Sequence, residues 1–313
     1  MVLAYRALGL GDLLTGLPAL RALSDAFPGH RRVLATPAWL APLARLSGSV
    51  DSVVDCGPLQ PLPGCLASPD VAANLHGRGP QSHRVVRAAR PRRTIAFACA
   101  GIEATTRGPR WRADEHEVVR WCRLLEESGI PADPSRLGLE RPQGVPPLAR
   151  GATVVHPGAA SEARRWPAER FAAIARAEAA TGRRVLVTGS AAEMPLAQCV
   201  ARLAGLPPES VLAGRTNPLQ LAAVVADAAR VVCGDTGVAH LATAFDTPSV
   251  VVCGPIPPAL WGPPADRPRH VALWAGRRGD PHADVPDPGL LAVGVDQVLA
   301  ALAWLERAET AVA

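Results

Sequence analysis

Apolar positions along this chain fall into two kinds of run. Short stretches are apolar throughout. They are VLAYRAL (2–8), RRVLAT (31–36), VDSVVD (50–55), DVAANLH (70–76) and RTIAFAC (93–99) in the first half. In the second half they are ATVVH (152–156), RRVLVTG (183–189), SVLAG (210–214), RVVCG (230–234), PSVVVC (248–253) and HVALW (270–274). Unbroken rather than alternating apolar character predicts parallel strands covered on both faces. Between them lie segments of helical periodicity at 12–26, 37–47, 81–89 and 114–129, then 167–181, 191–205, 217–228, 236–245 and 289–308. Strand–helix alternation predicts an α/β protein built of doubly wound parallel sheets. The rhythm fails in SGIPADPSRLGLERPQGVPPLARG (128–151), whose Pro and Gly content reads as a linker.

Composition narrows the class. With 313 residues, 48% apolar and 19% charged, the chain can fill one large core or two ordinary ones. No run has the ~20 apolar residues of a membrane span. The N-terminus enters a strand pattern without a basic leader, so a soluble cytoplasmic protein is expected. Seven cysteines, at 56, 65, 99, 122, 199, 233 and 253, form no CxxC or Cys/His cluster, which argues against disulfides and zinc. The net charge is +5, but the 33 basic residues are all arginine and are dispersed. With aromatics at 4%, no stacking platform for nucleic acid is visible, and none is expected as a partner. The absence of lysine excludes a lysine Schiff base and a Walker A loop.

Ligands of doubly wound sheets bind at the carboxyl ends of strands, and four loops there carry chemistry. GLGD (9–12) joins the first strand to an apolar helix, but its glycine spacing is not that of a dinucleotide fingerprint. HPGAASEARRWP (156–167) couples small residues to Arg164 and Arg165, an arginine pair suited to phosphate. TGSAAE (188–193) places Glu193 at the start of a helix, where a carboxylate suits the dipole or a pair of ribose hydroxyls. CGDTG (233–237) forms a strand-to-helix elbow whose backbone N–H groups suit an anion. Taken singly, Asp12 and Asp235 read equally well as N-caps, Glu193 as a dipole partner, Arg164 as a surface arginine, and His156 and His240 as core histidines. The functional reading comes from their coincidence at strand ends.

Together, GxGDxxxxxP, HPGA…RRWPxxRF, TGSxxE, GDTGxxHLAxAxxxP and the run NLHGRGPQS (74–82) resemble glycosyltransferase family 9, the heptosyltransferase family. The resemblance runs from residue 2 to about 275. It implies the GT-B fold: two Rossmann-like domains, 1–148 for the acceptor and 149–288 for the nucleotide-sugar donor, facing a central cleft. The final helix, 289–308, would pack back on the first domain. Asp12 matches the family's general base. On the acceptor side stand Gly9, Gly11, Thr15, His76 and Arg78. On the donor side stand His156, Gly158, Ala159, Arg164, Arg165, Glu193, Leu212, Gly214, Asp235, Thr236, Gly237 and His240. Arg164 falls where the family usually has a lysine on the donor pyrophosphate, and the adenine would lie near Leu212–Thr216.

The implied reaction is inverting transfer of a sugar, a heptose in the family pattern, from an ADP-sugar to an acceptor hydroxyl. The acceptor would be a glycan, a lipid-linked sugar or a natural product, with peripheral membrane contact only in the lipid-linked case. No DxD pair lies near these loops, so neither metal nor other cofactor is expected. A sugar-nucleotide epimerase of the same fold and a non-catalytic sugar-nucleotide binding protein are the alternatives.

Overall fold

A computed structural model describes the backbone of residues 1–312 and the side chains of residues 1–308. It divides into two compact units, Met1–Glu140 and Arg141–Ala313.

The first unit runs β1 (Val2–Tyr5), α1 (Leu10–Thr15), α2 (Leu17–Ala26), β2 (Arg32–Thr36), α3 (Ala41–Leu46), β3 (Ser52–Asp55), β4 (Val71–Asn74), α4 (Gln81–Ala88), β5 (Arg93–Ile95) and α5 (Glu117–Glu126). Its five strands are parallel, in the order β3-β2-β1-β4-β5. The order reverses between β1 and β4, which pair from Val2↔Val71 to Tyr5↔Asn74. Every residue of both strands is buried, as their continuous apolar pattern requires. The helix expected at 12–26 is two helices. Pro18, lacking an N–H, cannot continue the ladder across the junction, and Gly16 caps α1 against the carbonyls of Asp12 and Leu13.

The second unit runs β6 (Thr153–His156), α6 (Ala168–Ala180), β7 (Val185–Val187), α7 (Met194–Ala204), α8 (Pro218–Asp227), β8 (Arg230–Gly234), α9 (Gly237–Ala244), β9 (Ser249–Cys253), α10 (Pro258–Trp261), β10 (His270–Trp274), α11 (Pro288–Ala292) and α12 (Val295–Val312). The parallel order is β10-β9-β8-β6-β7, reversing between β6 and β8. The strand expected at 210–214 is reduced to one bridge, Val187↔Val211, hemmed in by Pro207, Pro208 and Gly214, whose φ is +69°.

The final helix belongs to the core of the second unit. Val298, Ala301, Leu302 and Leu305 recur at helical spacing and are buried, with α12 lying on α6, β9 and β10. The division between the compact units falls at 140/141. Arg141 is tied into the second unit by its guanidinium, which grips the Asp227 carboxylate at 2.6 and 2.8 Å and also reaches the Val145 carbonyl. The stretch between α5 and β6 holds no helix or strand among the described residues, as a linker should. Among the described residues no helix is long and apolar enough to cross a membrane.

Candidate active site

In the first unit the GLGD and NLHGRGPQS loops leave β1 and β4 side by side, at the point where strand order reverses and ligands of such sheets bind. Gly9 is the N-cap of α1 and Asp12 its third residue. The Asp12 carboxylate bends back to accept the Gly9 N–H at 3.1 Å, so it is held at the mouth of the helix and stays one-quarter exposed. Burial raises its pKa above the ordinary carboxylate value, against the pull of Arg6 and the Gly9 N–H.

Behind Asp12 lies a group that the sequence did not single out. Arg6, the residue after β1, is 1% exposed. Its guanidinium donates to the carbonyls of Asp12 and Leu75, to Thr15 Oγ1 at 3.1 Å and to Glu117 Oε1 at 3.1 Å. Asp12 Oδ1 is 3.6 Å from the same nitrogen. Glu117 opens α5 and also takes Trp121 Nε1 at 2.7 Å and the Arg120 guanidinium. Burial alone would push the Glu117 carboxyl up, but Arg6, Arg120 and Trp121 hold it below the ordinary value. The expected acceptor residue Thr15 is buried in this cluster, donating to the Gly11 carbonyl at 3.0 Å. Gly16 leaves room for Arg6, since a Cβ there would stand 3.0 Å from Arg6 Cδ.

His76 stacks on Tyr5, with ring centroids 4.7 Å apart and planes 14° from parallel. Burial and Arg6 push its pKa down to about 4, leaving a neutral imidazole at neutral pH. The loop that carries it is anchored by Asn74, whose Nδ2 reaches Ser82 Oγ and His83 Nδ1, both at 3.0 Å. Arg78 is exposed to solvent on the same loop.

In the second unit the HPGA and GDTG loops leave β6 and β8, which pair at His156↔Cys233, again where strand order reverses. His156 is buried, with Nδ1 3.0 Å from Thr188 Oγ1, and burial lowers its pKa against the pull of Glu193. Glu193 is the N-cap of α7, and its carboxylate accepts the Ser190 N–H at 2.8 Å. It lies directly over Gly158, where a Cβ would stand 2.1 Å from Glu193 Oε1, so any larger residue there displaces the carboxylate. Asp235 is 9% exposed, and burial pushes its pKa up to about 6, with Arg164 pulling it down. Thr236 caps α9 by accepting the Val238 N–H at 3.3 Å. His240, one turn along α9, packs edge-on to Trp261 with ring centroids 5.9 Å apart.

The two arginines differ. Arg165 is turned onto Glu162 and the Ala159 carbonyl, whereas Arg164 makes a long contact to Ser161 Oγ at 3.4 Å. The loop bearing them is pinned by a segment that carried no motif. Ser161 Oγ donates to the Pro281 carbonyl at 2.6 Å, and Ala163 N–H to the Ala283 carbonyl at 3.1 Å. Leu212 and Gly214 stand beside β7, where Gly214 N–H meets the Gly189 carbonyl at 3.0 Å. Next to them a concavity of about 720 Å³ is lined by Met194, Gln198, Arg202, Val211 and Arg215, within the usual range for a small-molecule site of ~300–1,000 Å³. No group of three or more metal-ligating side chains converges among the described residues.

Two doubly wound five-stranded parallel sheets, each with its loops at the order reversal, define a two-domain α/β protein of the GT-B class. The chain belongs to glycosyltransferase family 9 (heptosyltransferase), whose model matches residues 98–283. A lipooligosaccharide heptosyltransferase 2 of Haemophilus influenzae is 31% identical over 128 residues, 38% of this chain and 36% of that protein. The match thus spans little more than a third of that curated relative. The structure of E. coli ADP-heptose LPS heptosyltransferase II superposes with a TM-score of 0.79 at 20% identity, covering 99% of both chains. An E. coli heptosyltransferase solved with ADP-2-deoxy-2-fluoro heptose gives 0.73 at 19% identity, covering 97% of this chain and 99% of the other. At these identities the likeness is one of fold.

Proposed function

We propose that the protein is an inverting glycosyltransferase that moves a sugar, with heptose the first choice, from an ADP-sugar to an acceptor hydroxyl. The acceptor oxygen bonds to the anomeric carbon, the bond from that carbon to the diphosphate breaks, ADP leaves, and Asp12 takes the acceptor proton. A carboxylate whose pKa is raised by burial is a stronger base than a free one, and a positioned base contributes typically ~10²–10⁴ in rate. Arg164 and the N-terminus of α9 meet the charge that develops on the leaving diphosphate. Glu193 takes the ribose hydroxyls, Asp235 the sugar hydroxyls, and the surface near Leu212–Thr216 the adenine. Gly9, Gly11, His76 and Arg78 line the acceptor side.

The observation that carries this reading is the pairing of HPGA and GDTG on adjacent strands β6 and β8, in a chain of a sugar-transferring family. Its experiment is a thermal-shift series with ADP, ADP-heptose, UDP and UDP-glucose. ADP and ADP-heptose at ~100 times Kd are expected to raise Tm by on the order of 5 °C, with the uridine compounds inert. A shift with UDP compounds alone, or none with any nucleotide, contradicts the donor assignment.

A further inference from the structure

Asp12 is not alone with its helix. Arg6 meets it three times: through the Asp12 carbonyl, through Thr15 Oγ1, and through a charge contact of 3.6 Å to Oδ1. That guanidinium is fully buried and is itself held by Glu117 on α5, 111 residues away in sequence. Glu117 faces two guanidiniums, those of Arg6 and Arg120. The buried group therefore carries two positive charges and one negative, and an ionised Asp12 brings it to balance. The other group on the Asp12 carboxylate is the Gly9 N–H at the helix N-cap, while the Thr15 hydroxyl donates to the Asp12 carbonyl; His76, whose pKa Arg6 also lowers, is an imidazole that is neutral at neutral pH.

We infer that Arg6, braced by Glu117, is the positioning residue for Asp12, fixing the α1 mouth around the carboxylate and setting the pH at which it becomes a base. The inference rests on Asp12 being the base. Its logic is electrostatic. The Arg6 charge favours the ionised form of Asp12, and the Glu117 charge opposes it. Removing one or the other shifts the titration of Asp12 in opposite directions, which loss of packing alone does not do. Arginine is suited to the task because its planar fork serves carbonyl, hydroxyl and carboxylate at once, which a lysine point charge does not.

The test is the pH profile of kcat for the whole enzyme, with an ADP-sugar as donor, for wild type, Glu117→Gln, Arg6→Gln and Asp12→Asn. ADP affinity is measured alongside by calorimetry, and folding by circular dichroism. Glu117→Gln is expected to move the acid limb to lower pH by about half a unit or more, and Arg6→Gln to move it to higher pH. Both should keep ADP affinity within about twofold, because the change is read in kcat. Where Arg6→Gln does not fold, the near-isosteric Glu117→Gln decides the matter by its sign. Unmoved or same-direction limbs beside an inactive Asp12→Asn overturn the role of Arg6 and leave the base assignment standing. An active Asp12→Asn removes the base assignment, and this inference with it.

Discussion

Single residues divide into those whose chemistry is visible in the sequence and those whose setting is not. Asp235 shows the difference. Its place in GDTG is legible, but burial raises its pKa from 3.8 to about 6, and that depends on packing. A raised carboxylate pKa stabilises the fold while the group is protonated, and that contribution disappears as pH rises through about 6. Asp235→Asn is therefore expected to raise the Tm of the ligand-free protein at pH 7.5, by up to about 3 kcal/mol of stability, and to change it little at pH 4. Equal shifts at both pH values would contradict this. Gly158 gives a steric prediction. Gly158→Ala drives a methyl into the Glu193 carboxylate. With the carboxylate displaced from its place on the Ser190 N–H, ADP-sugar affinity is expected to fall about tenfold by calorimetry, the worth of about one hydrogen bond to a charged group. Arg6 lay outside sequence reading because its partner Glu117 is 111 positions away, and nothing local announces the pair.

At the scale of elements, the central parallel strands β1, β4, β6, β8 and β9 were legible because they are largely apolar along their length and buried throughout. Helix ends were less so. A continuous apolar pattern at 12–26 concealed the junction at Gly16 and Pro18, where Arg6 packs under the chain. The strand at 210–214 had the right residue types but only one ladder position. The last helix showed its apolar stripe plainly, yet periodicity names a buried face and not the partner it is buried against. Val298, Ala301, Leu302 and Leu305 turn that stripe onto the second sheet. Leu302→Ala is expected to cost the second unit about 2–5 kcal/mol, measured by urea unfolding with probes in that unit. A loss below about 1 kcal/mol would mean that α12 is not part of its core. The segment around Pro281–Ala283 held no motif because it acts through backbone carbonyls, which any residue supplies.

For the molecule as a whole, the proposed work is divided by unit. Every residue assigned to the donor lies in residues 141–313, and that unit has its own buried core. The isolated segment 141–313 is expected to bind ADP with a Kd within a few-fold of the full chain, while segment 1–140 does not bind it. Failure of the second unit to bind would contradict the division. The base assignment lies entirely in the other unit, so it can be tested without disturbing the donor. The direct measurement is the transfer rate of Asp12→Asn with ADP-heptose and a competent acceptor, beside its Kd for ADP. With Asp12 as the base, kcat falls by about 10²–10⁴ while ADP affinity stays within about twofold. Transfer within a few-fold of wild type would contradict that assignment.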